Sequence, residues 1–131
     1  MSKNKNFQEI ENFLRKIKEE CPECNSNTFD FYKKDLVDEV IEVRMAVDKK
    51  DWAELKEELG DVLWSWMDFC LQAEKEGLFT MEEVLEFLKH KLVQRNPHVF
   101  SNQKASTLEE ARNAKRKAKE EWKQKKPICP I

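Results

Sequence analysis

Glycine occurs only twice in this chain of 131 residues, at Gly60 and Gly77, and proline only four times. A sandwich or barrel needs a turn about every 8–12 residues, and those turns draw heavily on Gly and Pro. The shortage therefore argues against a turn-rich sandwich or barrel. Apolar residues recur instead at helical spacing, and eight Phe and four Trp argue against disorder. The expectation is all-α: a single domain over 1–131, an up-and-down helical bundle of about five helices.

Five helical segments carry that expectation. The first, Phe7–Glu20, places Phe7, Ile10, Phe13, Leu14 and Ile17 on one stripe and stops before Pro22. A polar loop, Cys21–Thr28, follows. The second helix, Phe29–Asp48, carries Leu36, Val37, Val40, Ile41, Val43 and Val47 as its apolar arc. The third begins at Asp51, with Glu54 completing a capping box, and continues to Glu76 before Gly77. The fourth runs from Thr80, with Glu83 three residues on, to Asn96 before Pro97. The fifth is capped by Thr107 with Glu110 and reaches Lys123. Pro97-His98-Val99-Phe100 reads as a helix stop with Phe100 in the core.

The formal net charge is only −2, which by itself selects neither nucleic acid nor membrane. Lys104–Lys126 nevertheless holds nine basic and four acidic residues, and the first 103 residues hold 15 basic and 22 acidic. On a helical wheel of about 100° per residue, Glu39 and Glu42 lie on one side of the second helix's apolar arc. Glu58 and Asp61 lie on the same rotational side of the third. If the two helices are antiparallel, both pairs fall on one flank, and counting from the turn matches Glu42 with Glu58 and Glu39 with Asp61. Four like charges so placed repel unless they take up protons, spread into solvent or bind cations. An all-oxygen set suits Mg²⁺ or Mn²⁺. A di-iron bundle would need Glu-x-x-His, and neither His90 nor His98 follows a Glu by three residues.

Cys21-Pro22-Glu23-Cys24 has the spacing of half a zinc site, but no second close pair completes it, and Cys70 sits on an apolar stripe. Reduced thiols in a cytoplasmic protein are expected. No apolar run reaches the roughly 20 residues of a membrane span, and the first residues lead into no signal-peptide core. Trp64, Met67 and Leu71 form a second apolar group on the third helix. That helix is therefore central or at a subunit contact, and a homodimer or larger assembly through it is expected.

Glu39-x-x-Glu42, fifteen intervening residues and Glu58-Leu59-Gly60-Asp61 together resemble the MazG-type nucleoside triphosphate pyrophosphohydrolases of the all-α NTP pyrophosphatase superfamily. Cys21-Pro22 and Lys91-x-x-x-Arg95-Asn96-Pro97-His98-Val99-Phe100 look like further MazG blocks, and the resemblance extends over about residues 7–126. It implies hydrolysis of an NTP or dNTP between the α and β phosphates, with Mg²⁺ held by Glu39, Glu42, Glu58 and Asp61. It also implies phosphate contacts from Lys91 and Arg95, and an aromatic and basic pair, Trp122 and Lys126, that closes over the nucleotide. The chain departs from the family pattern at Asp38, where Glu is usual, and at Glu23-Cys24, where Trp-Asp is common. Glu54 stands where a basic residue is often found, with Lys50 or Lys56 as substitutes. Glu39 and Asp38 are both candidates for the catalytic base. The alternatives are a non-catalytic helical nucleotide-binding or regulatory protein, and a nucleic-acid binder working through its basic tail; no specific nucleic-acid partner is expected.

Overall fold

Helix boundaries follow local chemistry closely. In the computed structural model, which describes residues 2–125, every regular element is helical. These are α1 Lys3–Glu20, α2 Pro22–Ser26, α3 Phe29–Asp48, α4 Trp52–Lys75, α5 Met81–Arg95, α6 Pro97–Phe100 and α7 Leu108–Lys125. Asp51 caps α4 by accepting the Glu54 backbone N–H at 3.1 Å, and the Thr107 hydroxyl accepts that of Glu110 at 3.1 Å. Gly77, at φ 73°, closes α4: its N–H bonds to the Glu74 carbonyl, and that of Leu78 to Ala73, a Schellman motif. The same pattern ends α3, but the left-handed position there is Lys50, at φ 55°.

Two expectations of irregular chain are corrected. The loop Cys21–Thr28 contains α2, because Pro22 is preorganised for a first helical position and Cys21 serves as its cap. Pro97 likewise starts α6 rather than only ending α5. Phe100 is exposed, not buried in a core.

The described residues fall into two compact units that divide between Met81 and Glu82. In the first, the connection Lys49–Asp51 folds α4 back along α3, and this pair dominates the packing; α1 lies against α2 and α4. Leu14, Tyr32, Ala46, Met67, Leu71 and Ala73 are buried. Met67 and Leu71 are thus spent inside the protomer, which makes α4 the central helix, one of its two expected placements; Trp64 stays exposed. The buried face of α3 is rotated from expectation: Leu36 and Val43 of the expected arc are half-buried, but the rest of it faces out. Val37, Val40, Ile41 and Val47 are exposed, whereas Tyr32, Asp35, Glu39 and Ala46 form the sheltered side.

A buried ammonium joins four helices of this unit. Lys18 Nζ donates to Gln72 Oε1 at 2.6 Å, the Tyr32 hydroxyl at 2.8 Å and the Cys24 carbonyl at 3.1 Å. Every proton of the ammonium is used, which is the condition for a charge to be tolerated there. Arg15 on α1 grips Glu74 on α4 through both carboxylate oxygens, at 3.2 and 3.1 Å. In the second unit, Trp122 on α7 packs edge-on against Phe87 of α5, with centroids 5.7 Å apart.

Candidate metal centre

The sheltered side of α3 meets α4 with its acids inward. Glu39, Glu58 and Asp61 each bring one carboxylate oxygen within 4.8 Å of the others. Glu58 is buried, and Glu39 and Asp61 are half-buried. Glu39 Oε2 and Glu58 Oε2 are both inaccessible and have no hydrogen-bond partner. A buried carboxylate oxygen without a donor is costly, so its persistence calls for a counter-charge or a proton. Glu42 is exposed and lies outside this group of three.

The electrostatics are those of crowded acids. The Glu58 carboxyl is pushed up to about 7, first by the Glu42 carboxylate beside it, then by burial and by the charges of Asp61 and Glu39. Glu39 is raised mainly by burial, then by Asp61 and Glu42. Each acid thus feels the partner that the helical count assigns to it.

Glu39 and Asp61 also line a cavity of about 290 Å³, whose walls come from α2, α3 and α4. Phe31 and Trp64 are aromatic walls, 49% and 52% exposed. Asp35, Ser65, Asp68 and Asn27 supply polar groups, with the Ser65 hydroxyl donating to Asp35 Oδ2 at 2.8 Å. Burial pushes the Asp68 carboxyl up to about 6, against the Lys18 ammonium and a hydrogen bond from Trp64. Asp35, Ser65 and Asp68 were not anticipated from the sequence, though spacing could have found them. Asp35 precedes Glu39 by four residues, while Ser65 and Asp68 follow Asp61 by four and seven, so all share the acidic side.

The remaining candidates are distributed as follows. Asp38 is exposed on α3, outside the cluster. Lys50 is exposed in the α3–α4 turn and Lys56 on α4. In the second unit, Lys91 and Arg95 are half-buried on α5, and Lys91 Nζ lies 5.7 Å from the centroid of the Trp122 ring, a cation–π contact. His98 is half-buried with Nδ1 unpartnered. Lys126 lies outside the described residues.

Residues 27–100 match the MazG nucleotide pyrophosphohydrolase domain. The nucleoside triphosphate pyrophosphohydrolase/pyrophosphatase MazG of Thermotoga maritima is 36% identical over 98 residues, 73% of this chain and 38% of that protein. The nucleoside triphosphate pyrophosphohydrolase of Escherichia coli K12 is 31% identical over 97 residues, 74% of this chain and 37% of the relative. The chain therefore spans less than two fifths of the length of these two relatives. The crystal structure of a mazG-related protein from Thermotoga maritima superposes with a TM-score of 0.77 at 25% identity, covering 86% of this chain and 98% of that one.

Proposed function

The chain belongs to the MazG nucleotide pyrophosphohydrolase family, and from that premise we propose that it hydrolyses an NTP or dNTP between the α and β phosphates, releasing NMP and pyrophosphate. The observation that carries this reading is the triad Glu39, Glu58 and Asp61 with its two buried, unpartnered oxygens. An all-oxygen set, two of whose oxygens lack donors, fits a hard divalent cation, Mg²⁺ or Mn²⁺. Glu39, Glu58 and Asp61, with Glu42 at the solvent side, are the residues that would hold it. A cation there supplies neutralisation of phosphate oxygens and a more acidic water.

The chain's own groups then divide the remaining work. The Glu39 carboxylate, which lines the cavity beside Asp61, takes the proton of the attacking water in this reading. Asp38 is exposed, and the base role is assigned to Glu39 rather than to it. Lys91 and Arg95 bind phosphate oxygens, and Trp122 with Lys126 closes over the nucleotide; the family motif and the opposite charge of these groups support this. One functional domain over 1–131 belongs to the same reading; the family match over 27–100 runs across the division at Met81. A cytoplasmic setting is a further part of this reading; among the described residues no helix is long and apolar enough to cross a membrane.

A homodimer belongs to the same reading, through α3 rather than through Met67 and Leu71. Val37, Val40, Ile41 and Val47 lie on one arc, and Val40 is 52% exposed. Such an arc is the kind that a second copy covers. Light scattering at micromolar concentration should give twice the chain mass, and Val40→Asp should halve it. A parent protein that stays monomeric removes the dimer from the proposal.

The deciding experiment measures pyrophosphate release from a panel of NTPs and dNTPs with Mg²⁺. Glu58→Ala should reduce turnover by about a hundredfold or more, as loss of a charged group at the reacting centre does. No release from any substrate, with Glu58→Ala indistinguishable from the parent, eliminates the enzymatic reading.

A further inference from the structure

The cavity beside the acidic triad has a composition that the hydrolysis itself does not require. It shares Glu39 and Asp61 with the proposed phosphate-activating cluster, so a nucleotide whose α-phosphate sits there has its nucleoside within reach. Phe31 and Trp64 leave about half of their surface uncovered at its walls. Aromatic faces left open in this way stack on flat π-systems, and a nucleobase is one. Between them, the polar groups are dominated by acceptors. Asp35 is a carboxylate already oriented through Oδ2 by the Ser65 hydroxyl, which leaves its other oxygen for a ligand. Asp68 is a second, half-buried carboxylate.

We propose that this cavity binds the base, and that Asp68, together with the Asp35 oriented by Ser65, selects bases bearing an exocyclic amine over uracil and thymine. The inference rests on the pyrophosphohydrolase reading and deepens it by naming the substrate class. The chemistry is one of lone pairs. Cytosine and adenine each offer an N–H₂ donor, and guanine offers N1–H beside N2–H₂. Uracil and thymine instead present two carbonyl oxygens around a single N–H, and a carbonyl facing a desolvated carboxylate leaves both acceptors unpaired. Sites built to hydrogen-bond a substrate group discriminate strongly against the analogue that lacks it. Above pH 6 Asp68 is ionised, so it accepts at neutral pH.

CTP and UTP make the sharpest pair, because they are matched in ring size and differ at C4 and N3. The parent protein should favour CTP in kcat/KM by about tenfold or more. Asp68→Asn, which adds a donor without changing shape, should bring the ratio to within about threefold, and Ser65→Ala should lower it as well. A binding readout free of turnover accompanies this: CMP against UMP by calorimetry, where the same variants should narrow the same preference. Circular dichroism and a melting curve establish that each variant is folded. A parent protein that hydrolyses both nucleotides equally, or a ratio that Asp68→Asn and Ser65→Ala both leave intact, overturns the assignment while the pyrophosphohydrolase reading stands. No hydrolysis of any triphosphate defeats that reading instead, and a retained CMP preference in the calorimeter would still locate the base.

Discussion

Glu58 offers the most direct test of a cation at the triad, because its proton and a cation compete for the same oxygens. The carboxyl is buried on α4, Oε2 has no donor, and crowding by Glu42, Asp61 and Glu39 pushes it up to about 7. A cation that binds only the ionised form must displace that proton. For a group at about 7, roughly one molecule in eleven is ionised at pH 6 and roughly ten in eleven at pH 8. Apparent cation affinity should therefore rise about tenfold between these two values, with about 0.9 proton released per cation at pH 6 and about 0.1 at pH 8. With Mg²⁺ fixed at about a hundred times its dissociation constant at pH 8, the cation adds about 2.7 kcal/mol of stability there and about 1.4 kcal/mol at pH 6.

Without the cation the sign reverses. The folded carboxyl lies at about 7, above its ordinary value of 4.5, so between these values the native state holds a proton that the unfolded chain has released. Apo stability should then fall as pH rises through that window. Urea denaturation with and without Mg²⁺ at pH 6 and pH 8 reads both slopes, and titration calorimetry in two buffers counts the protons. Glu58→Gln should be more stable than the parent protein without metal at pH 8, and should gain little from the cation. An equal Mg²⁺ effect at both pH values, or a Glu58→Gln protein that keeps the full gain, would refute the reasoning.

Three further outcomes follow from specific contacts. Lys50 carries a side chain at φ 55° in a Schellman turn, so Lys50→Gly should stabilise the protein by about 1 kcal/mol in urea titration, with Lys50→Ala neutral. Lys18→Met removes a buried donor from Gln72, Tyr32 and the Cys24 carbonyl, and should cost about 3 kcal/mol by the same assay. Lys91→Gln with Arg95→Gln should raise KM for the triphosphate about tenfold or more while leaving Mg²⁺-induced stabilisation unchanged, since neither residue belongs to the triad.

What the chain made legible before folding, and what it hid, divides by range of interaction. The caps at Asp51 and Thr107 could be read because donor and acceptor lie three residues apart, a distance that the helix itself determines. The convergence of Glu39, Glu58 and Asp61 was readable for a related reason: a three-residue turn sets the level of both helices, and the wheel sets the side. The Lys18 network was not, because Tyr32 and Gln72 stand 14 and 54 residues away and no local pattern marks a lysine for burial. The direction in which α3 faces failed for a deeper reason. Val37, Val40 and Ile41 make the more apolar arc, and the rule that apolar residues turn inward points them at α4. That rule minimises exposed apolar area over everything that packs together, not over one chain. Where a second copy can cover the valines, the acidic side is free to meet α4. Its carboxylates are tolerable there only if something neutralises them. The exposed arc and the buried acids are thus one choice of helix orientation, which the proposed second copy and the proposed cation would stabilise from opposite sides.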